Sequence, residues 1–291
     1  MTASAFTLAE LPRPIGYVLG GGASLGALQV GMLQALSEHP ISPDLVIGTS
    51  VGGLNGAAIA LDPTSSTNRL THLWPRITRE DIFPGNLLAQ AHTLRQSKTH
   101  LFPNSGLTNV IDRFLDGRRT FSELALPFAA VTMDVATGRA YPINSGPLVP
   151  ALLATAAVPG IYAAVDHDGR RLYDGGVVAN VPMRIALDMG ARSLVVLDCA
   201  FPGQLPDTPE TFAEILLFTA LVTMRNQAVY EARVVAEQVP VVYLPGPTAR
   251  RVSPLDFSHT EELIEAAYDA ARPFLASLVV TGPGLYGGPA S

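Results

Sequence analysis

The chain predicts an α/β fold, a three-layer α/β/α sandwich with a mainly parallel central sheet. Three observations predict it. Short apolar runs alternate with helical patterns along most of the chain, as parallel strands joined by crossover helices require. Glycines cluster just after two early strands, at Gly20-Gly21-Gly22 and around Ser50, where a strand must turn sharply into a helix. The 291 residues, 48% hydrophobic and only 15% charged, suffice for one large α/β domain or two small ones.

The elements follow in order. Tyr17-Val18-Leu19 reads as the first strand and enters the glycine loop. The next helix carries Leu25, Leu28, Met32 and Leu36 on one face, with Gln29, Gln34 and Glu38 largely off it. Ser42-Pro43-Asp44 breaks the chain before the strand Leu45-Val46-Ile47, and a Gly/Ala-rich helix spans about 53–61. Residues 62–127 mix short helical patterns with Thr, Ser and Pro, and read as an insertion that shapes or covers a pocket. Within it, Trp74 with Leu73, Ile77 and Ile82 suits core packing better than a lid. Phe128 to Val131, Ser193 to Leu197 and Val241 to Leu244 are further buried strands, and 163–173 form a hairpin turning at Asp168-Gly169. One long or kinked helix covers about 209–237, apolar in its first half. Packing on the sheet explains such a face, and a lipid-facing wall or dimer surface is the alternative. A last helix spans about 260–278, followed by a Gly/Pro tail that reads as frayed. Residues 15–200 are expected to form the catalytic domain, and 201–291 a helical and strand extension packed on it.

Several function classes fall away. A net charge of −6, with basic residues in no group larger than a pair such as Arg118-Arg119, offers nothing to a nucleic acid. The single cysteine, Cys199, excludes an internal disulfide and reads as a buried core residue. The six histidines lack metal-ligand spacing, so no metal is expected. The first 14 residues lack the pattern of a secretory signal. The longest apolar stretch, 215–224, is about half the length that spans a bilayer. A soluble, cytoplasmic protein is expected, with contact to a membrane from one side left open.

Three segments carry chemistry. Gly48-Thr49-Ser50-Val51-Gly52 is the G-x-S-x-G form of a nucleophile elbow, placed between an apolar strand and a helix. The helix N-terminus there favours a developing negative charge on the serine oxygen. Gly20-Gly21-Gly22 exposes backbone amides without side chains, as an oxyanion hole or a phosphate cradle needs. A dinucleotide site fits poorly, because the spacing is G-x-G-x-x-x-G and Asp44 precedes its strand instead of ending it. A Walker loop needs Gly-Lys-Ser/Thr, and the one lysine is Lys98. No cofactor is expected. Asp174-Gly175-Gly176, taken alone, reads as a strand-ending turn.

Together, in this order, the glycine loop, Gly48-x-Ser50-x-Gly52 and Asp174-Gly175-Gly176 resemble the patatin-like phospholipases of bacterial type. Ala154-Thr155-Ala156-Ala157-Val158-Pro159-Gly160 is similar to that family's small-residue segment, where Ser is commoner than Thr155, and Asn180-Val181-Pro182 matches its continuation after the aspartate. The resemblance covers about 15–200 and implies a serine lipid acyl hydrolase of phospholipase or carboxylesterase type. It implies a dyad of Ser50 as nucleophile and Asp174 as base, with the amides of Gly20, Gly21 and Gly22 as oxyanion hole. Gly48, Gly52, Gly175 and Gly176 support the turns. The implied partner is a lipid or acyl-ester substrate. The glycine loop departs from the family in lacking its common Arg, having Ala23-Ser24-Leu25-Gly26 instead. The alternatives are an α/β-hydrolase triad of Ser50, Asp174 and His259, an acyl-transferase, and a lipid-binding protein on the same fold.

Overall fold

The computed structural model describes residues 7–199, 208–247 and 252–288. Its strands are β1 (Ile15–Leu19), β2 (Leu45–Thr49), β3 (Phe128–Asp134), β4 (Arg139–Ile143), β5 (Val165–His167), β6 (Arg170–Asp174), β7 (Ser193–Leu197), β8 (Pro240–Tyr243) and β9 (Gly284–Gly287). They form one sheet in the order β5-β6-β3-β2-β1-β7-β8-β9, with β4 also paired to β3. Strands β3, β2, β1, β7, β8 and β9 are parallel neighbours, whereas β4, β5 and β6 run antiparallel at the β3 end.

The helices are α1 (Gly26–Ser37), α2 (Val51–Leu61), α3 (Ser66–Leu73), α4 (Arg79–Ile82), α5 (Leu87–Ser97), α6 (Ser105–Leu115), α7 (Leu148–Thr155), α8 (Gly176–Ala179), α9 (Met183–Asp188), α10 (Phe212–Ala236) and α11 (Thr260–Ser277). They cover both faces of the sheet, which makes the three layers. Every residue of β1, β2 and β7 is buried, so these strands read as unbroken apolar runs and not as alternating ones. Alternate residues feed separate cores. Tyr17, Leu19, Val46 and Val195 face the layer of α1, α2, α6, α7 and α11, and Val18, Ile47, Val196 and Val241 face that of α9 and the second half of α10.

Two strands were not legible in the sequence. Strand β4 is mostly exposed and holds Pro142, so it lacks the apolar run that marked the other strands. Strand β9 corrects the expectation of a frayed tail: its backbone pairs in parallel with β8, through Gly284 to Gly287. Beyond residue 200, β8 and β9 thus extend the same sheet. Helix α11 packs closely on α1, where a Cβ on Gly31 would lie 2.0 Å from the Ile264 carbonyl oxygen.

The connections reverse direction between β1 and β7, since β1 to β3 proceed one way across the sheet and β7 to β9 the other. Such a switch point leaves a crevice outside the carboxyl ends of the strands. The loops after β1, β2 and β7 all open there, bringing the glycine loop, Ser50 and Cys199 into one place.

Candidate active site

Ser50 follows the last residue of β2 and caps α2, with φ 55° and ψ −128°. A residue other than glycine rarely takes this backbone conformation, and strain of this kind concentrates at functional sites. The flanking glycines are dictated by close approach. A Cβ on Gly48 would lie 2.1 Å from the Gly52 carbonyl oxygen, and one on Gly52 would lie 2.3 Å from that of Leu19. The helix begins at Val51, two residues earlier than the pattern suggested.

Asp174 ends β6, and the sheet register explains how it meets Ser50. Strand β4 pairs with residues 130–134 along one edge of β3. The opposite edge is therefore shared: β2 takes residues 128–131, with Thr49 opposite Val131, and β6 takes 132–134, with Asp174 opposite Thr132. The carboxyl ends of β2 and β6 thus meet at adjacent rungs of one strand. A Cβ on Gly175 would lie 2.5 Å from the Val131 carbonyl oxygen, which is why the chain turns on glycine there.

The Asp174 side chain is buried, only 4% exposed. Burial pushes its carboxyl up from 3.8 to about 6, against the opposing pull of the Ser50 hydroxyl and the Gly176 N–H. Gly176 N–H donates to Oδ1 at 2.7 Å. The carboxylate is a far better proton acceptor here than in water, and ionises within the neutral range.

The glycine loop lies beside Ser50, as expected, and its amides differ in what they bind. Gly20 N–H donates to the Leu197 carbonyl at 3.0 Å and Gly21 N–H to the Asn180 carbonyl at 3.2 Å, so both are engaged in holding the loop. Among the described residues neither Gly22 N–H nor Ala23 N–H has an acceptor. Ala23 takes φ 50°, a left-handed conformation uncommon for a residue with a side chain. The loop lies directly on the serine, since a Cβ on Gly21 would meet Ser50 Cβ at 3.1 Å.

A buried polar chain holds the loop from behind. Gln29 Nε2 donates to the carbonyls of Gly20 (2.8 Å) and Leu197 (3.0 Å), Asn55 Nδ2 donates to Gln29 Oε1 (2.7 Å), and Trp74 Nε1–H donates to Asn55 Oδ1 (2.9 Å). Gln29 and Asn55 are fully buried. The periodicity placed Gln29 off the apolar face, and the signal that marks it is instead a polar side chain inside an otherwise apolar helix.

A cavity of about 400 Å³ opens at Ser50 and Asp174. Its wall is apolar: Leu54 from α2, Trp74, Ile77 and Phe83 from the 62–127 segment, and Val110 and Phe114 from α6. Trp74 is both core and wall, 1% exposed and edge-on to Phe114 at 6.3 Å between ring centres. Cys199 is buried as expected, lining the cavity beside Gly22, and burial raises its thiol well above the ordinary range. The two readings of α10 divide along its length. Ala228, Ala232 and Val235 pack on the sheet, Leu221 and Met224 line the cavity, and Ile215 and Leu216 are exposed.

His259 does not line the cavity, and it lies beside Asp256 Oδ2 (3.5 Å) and Glu262 Oε2 (3.3 Å) at the start of α11. The basic residues are less scattered than in the sequence. Arg69, His72, Arg76 and Arg113 border one groove that shares Phe114 with the cavity, although Arg113 is paired with Asp81 and Arg69 donates to the Phe114 carbonyl.

A strained serine, a buried carboxyl and unengaged loop amides lie together at the mouth of one apolar cavity. A model of the patatin-like phospholipases matches residues 17–187, which hold all three. The chain belongs to the patatin-like phospholipase family. Relatives within that family include patatin-like phospholipase domain-containing protein 7 of Rattus norvegicus, 30% identical over 187 residues, covering 63% of this chain and 13% of that protein. Lysophospholipase NTE1 of Mycosarcoma maydis is 28% identical over 212 residues, covering 69% of this chain and 10% of the relative. This chain therefore spans about an eighth or less of these relatives' length. The crystal structure of VipD from Legionella pneumophila shares the fold, with a TM-score of 0.50 at 14% identity, over 92% of this chain and 68% of that one.

Proposed function

We propose that this patatin-like chain is a serine lipid acyl hydrolase, of phospholipase or carboxylesterase type, working through a Ser50–Asp174 dyad. The observation that carries the reading is the convergence of these two residues on adjacent rungs of β3 at the mouth of an apolar cavity. Ser50 Oγ attacks the ester carbonyl carbon while its proton passes to the Asp174 carboxylate. The oxyanion that forms is held by Gly22 N–H, Ala23 N–H and the amino end of α2. Collapse of the intermediate expels the alcohol, which takes the proton back from Asp174. Water, activated by the same carboxylate, then releases the acid from the acyl-serine. An acyl-transferase would replace that water by another acceptor, and product analysis separates the two.

The apolar lining of the cavity suits an acyl chain. Rates on p-nitrophenyl esters are expected to rise from acetate to longer acyl chains as more of the chain enters that lining. The basic groove lies outside the cavity lining, so neutral and zwitterionic lipids should turn over faster than anionic ones, with little change on adding salt. Initial rates on phosphatidylcholine, phosphatidylglycerol and a neutral glyceride at two ionic strengths check this. A salt-sensitive preference for phosphatidylglycerol would give the arginine groove a part in binding. Absence of turnover on every ester, with no labelling by a fluorophosphonate, would favour a lipid-binding protein on this fold.

Peripheral contact with a lipid surface belongs to the same reading. Val158, Val177 and Leu255 line the cavity yet are exposed, and they come from three separate parts of the chain. Helix α10 has no charged residue across 215–224, and its Thr219 and Thr223 hydroxyls donate to the helix's own carbonyls at Ile215 and Thr219. No group on this stretch demands water, so it suits an acyl phase. Among the described residues, no helix is long and apolar enough to cross a membrane. Leu216→Glu should weaken sedimentation with phosphatidylcholine vesicles while leaving hydrolysis of short monomeric esters unchanged.

A further inference from the structure

The dyad gives no task to the small-residue segment before the hairpin, 154–160, yet the contacts of that segment are specific. Thr155, the last residue of α7, is fully buried, and its hydroxyl works in both directions. Oγ1 accepts the Ser50 N–H at 3.0 Å and donates its proton to the Val131 carbonyl at 2.5 Å. Val131 is the rung at which β2 ends, next to the rung that carries Asp174. Two residues further on, the Ala157 carbonyl accepts the Asp174 N–H at 2.9 Å. One short segment therefore grips the backbone of the nucleophile and that of the base.

We infer that Thr155 is a positioning residue for the dyad: its hydroxyl ties the strained Ser50 backbone to β3 and so sets the distance between Ser50 and Asp174. The physical need is plain. Ser50 lies outside the ladder of β2 and holds a φ of 55°, so its N–H has neither a strand nor a helix acceptor. Left unpaired, the amide would turn toward a relaxed conformation and carry Oγ away from the carboxyl. The Thr155 methyl has a separate, purely steric part, since a Cβ on Gly53 would lie 2.8 Å from Thr155 Cγ2. The hydroxyl is thus the functional half of the side chain, and the methyl explains the glycine at 53.

The test separates these halves. Thr155→Val keeps the shape and removes both hydrogen bonds, while Thr155→Ser keeps both bonds and removes the methyl. Thr155→Val is expected to lower kcat by about 10- to 100-fold, the scale for misplacing a reacting group by a fraction of an ångström to one ångström, with KM for a p-nitrophenyl ester within about three-fold. Thr155→Ser should hold kcat within about three-fold of wild type. Fluorophosphonate labelling rates should follow kcat in both variants. Should Thr155→Val fail to fold, Thr155→Ala takes its place, as it places no new atom in the core. Equal kcat loss in the Ser and Val (or Ala) variants, or none in the hydroxyl-free variant, overturns the inference. It rests on the dyad reading, and the two fail differently. Turnover that survives Ser50→Ala ends the dyad, whereas turnover lost in Ser50→Ala but intact in Thr155→Val ends only the role of Thr155.

Discussion

Ser50→Ala is expected to lower ester turnover by at least about 10⁴-fold and to abolish labelling by a fluorophosphonate, because among the described residues no other hydroxyl is presented to the cavity from an elbow. The fold should be unaffected, since Ala at φ 55° carries the same backbone strain as Ser. Ser50→Gly extends the result. Glycine accepts this conformation freely, so it should be equally inactive yet more stable than wild type by about 1–3 kcal/mol, the usual cost of such strain. Esterase assays on the pure variants and their denaturant midpoints check both halves. A Ser50→Ala protein with normal turnover would sink the proposed function.

Asp174→Asn has the second largest expected effect. It preserves the shape and the acceptor for Gly176 N–H and removes the base, so kcat should fall by about 10² or more. The pH dependence follows from the raised carboxyl. Wild-type kcat/KM should fall on the acid side of about 6 as Asp174 takes up a proton, and this limb should vanish from the residual activity of the Asn variant. Stability moves the opposite way. An unfolded carboxyl ionises near 3.8 and the folded one near 6, so between these values the folded state holds more protons. Raising the pH through that window removes stability, on the order of 3 kcal/mol by pH 7. Asp174→Asn should therefore raise Tm by a few degrees at pH 7 and lose that advantage at pH 4. His259→Ala, outside the cavity lining, should leave turnover nearly intact; a loss matching that of Asp174→Asn would restore the triad.

How much of this was legible depended on whether the cause was local. The elbow was, because the constraint on Gly48 and Gly52 arises within a few residues of Ser50 and demands a residue type. The strand-helix alternation was legible for the same reason: buried parallel strands must be apolar throughout. Asp174 was not readable on its own, since Asp-Gly-Gly marks any tight turn, and only the register on β3 gives it a partner. The engagement of the Gly20 and Gly21 amides was not legible, because their acceptors, at Leu197 and Asn180, lie far along the chain. The positive φ of Ala23, a non-glycine residue, leaves no trace in the residue type. Thr155 stood inside a family motif without a role, for the distance between its two partners exists only in the fold.

The shared edge of β3 separates two properties of the molecule. Ser50 and Asp174 take their spacing from that edge, while Trp74, Ile77, Phe83, Val110 and Phe114 all come from the one uninterrupted excursion between β2 and β3. The excursion leaves and re-enters the sheet at neighbouring strands, so its interior can be rebuilt without moving either anchor point. Much of the cavity wall is thus carried on one stretch of polypeptide, with Val158, Leu221, Met224 and Leu255 completing it from elsewhere, and the Ser50–Asp174 pair is a fixed socket beside it that would accommodate many such stretches.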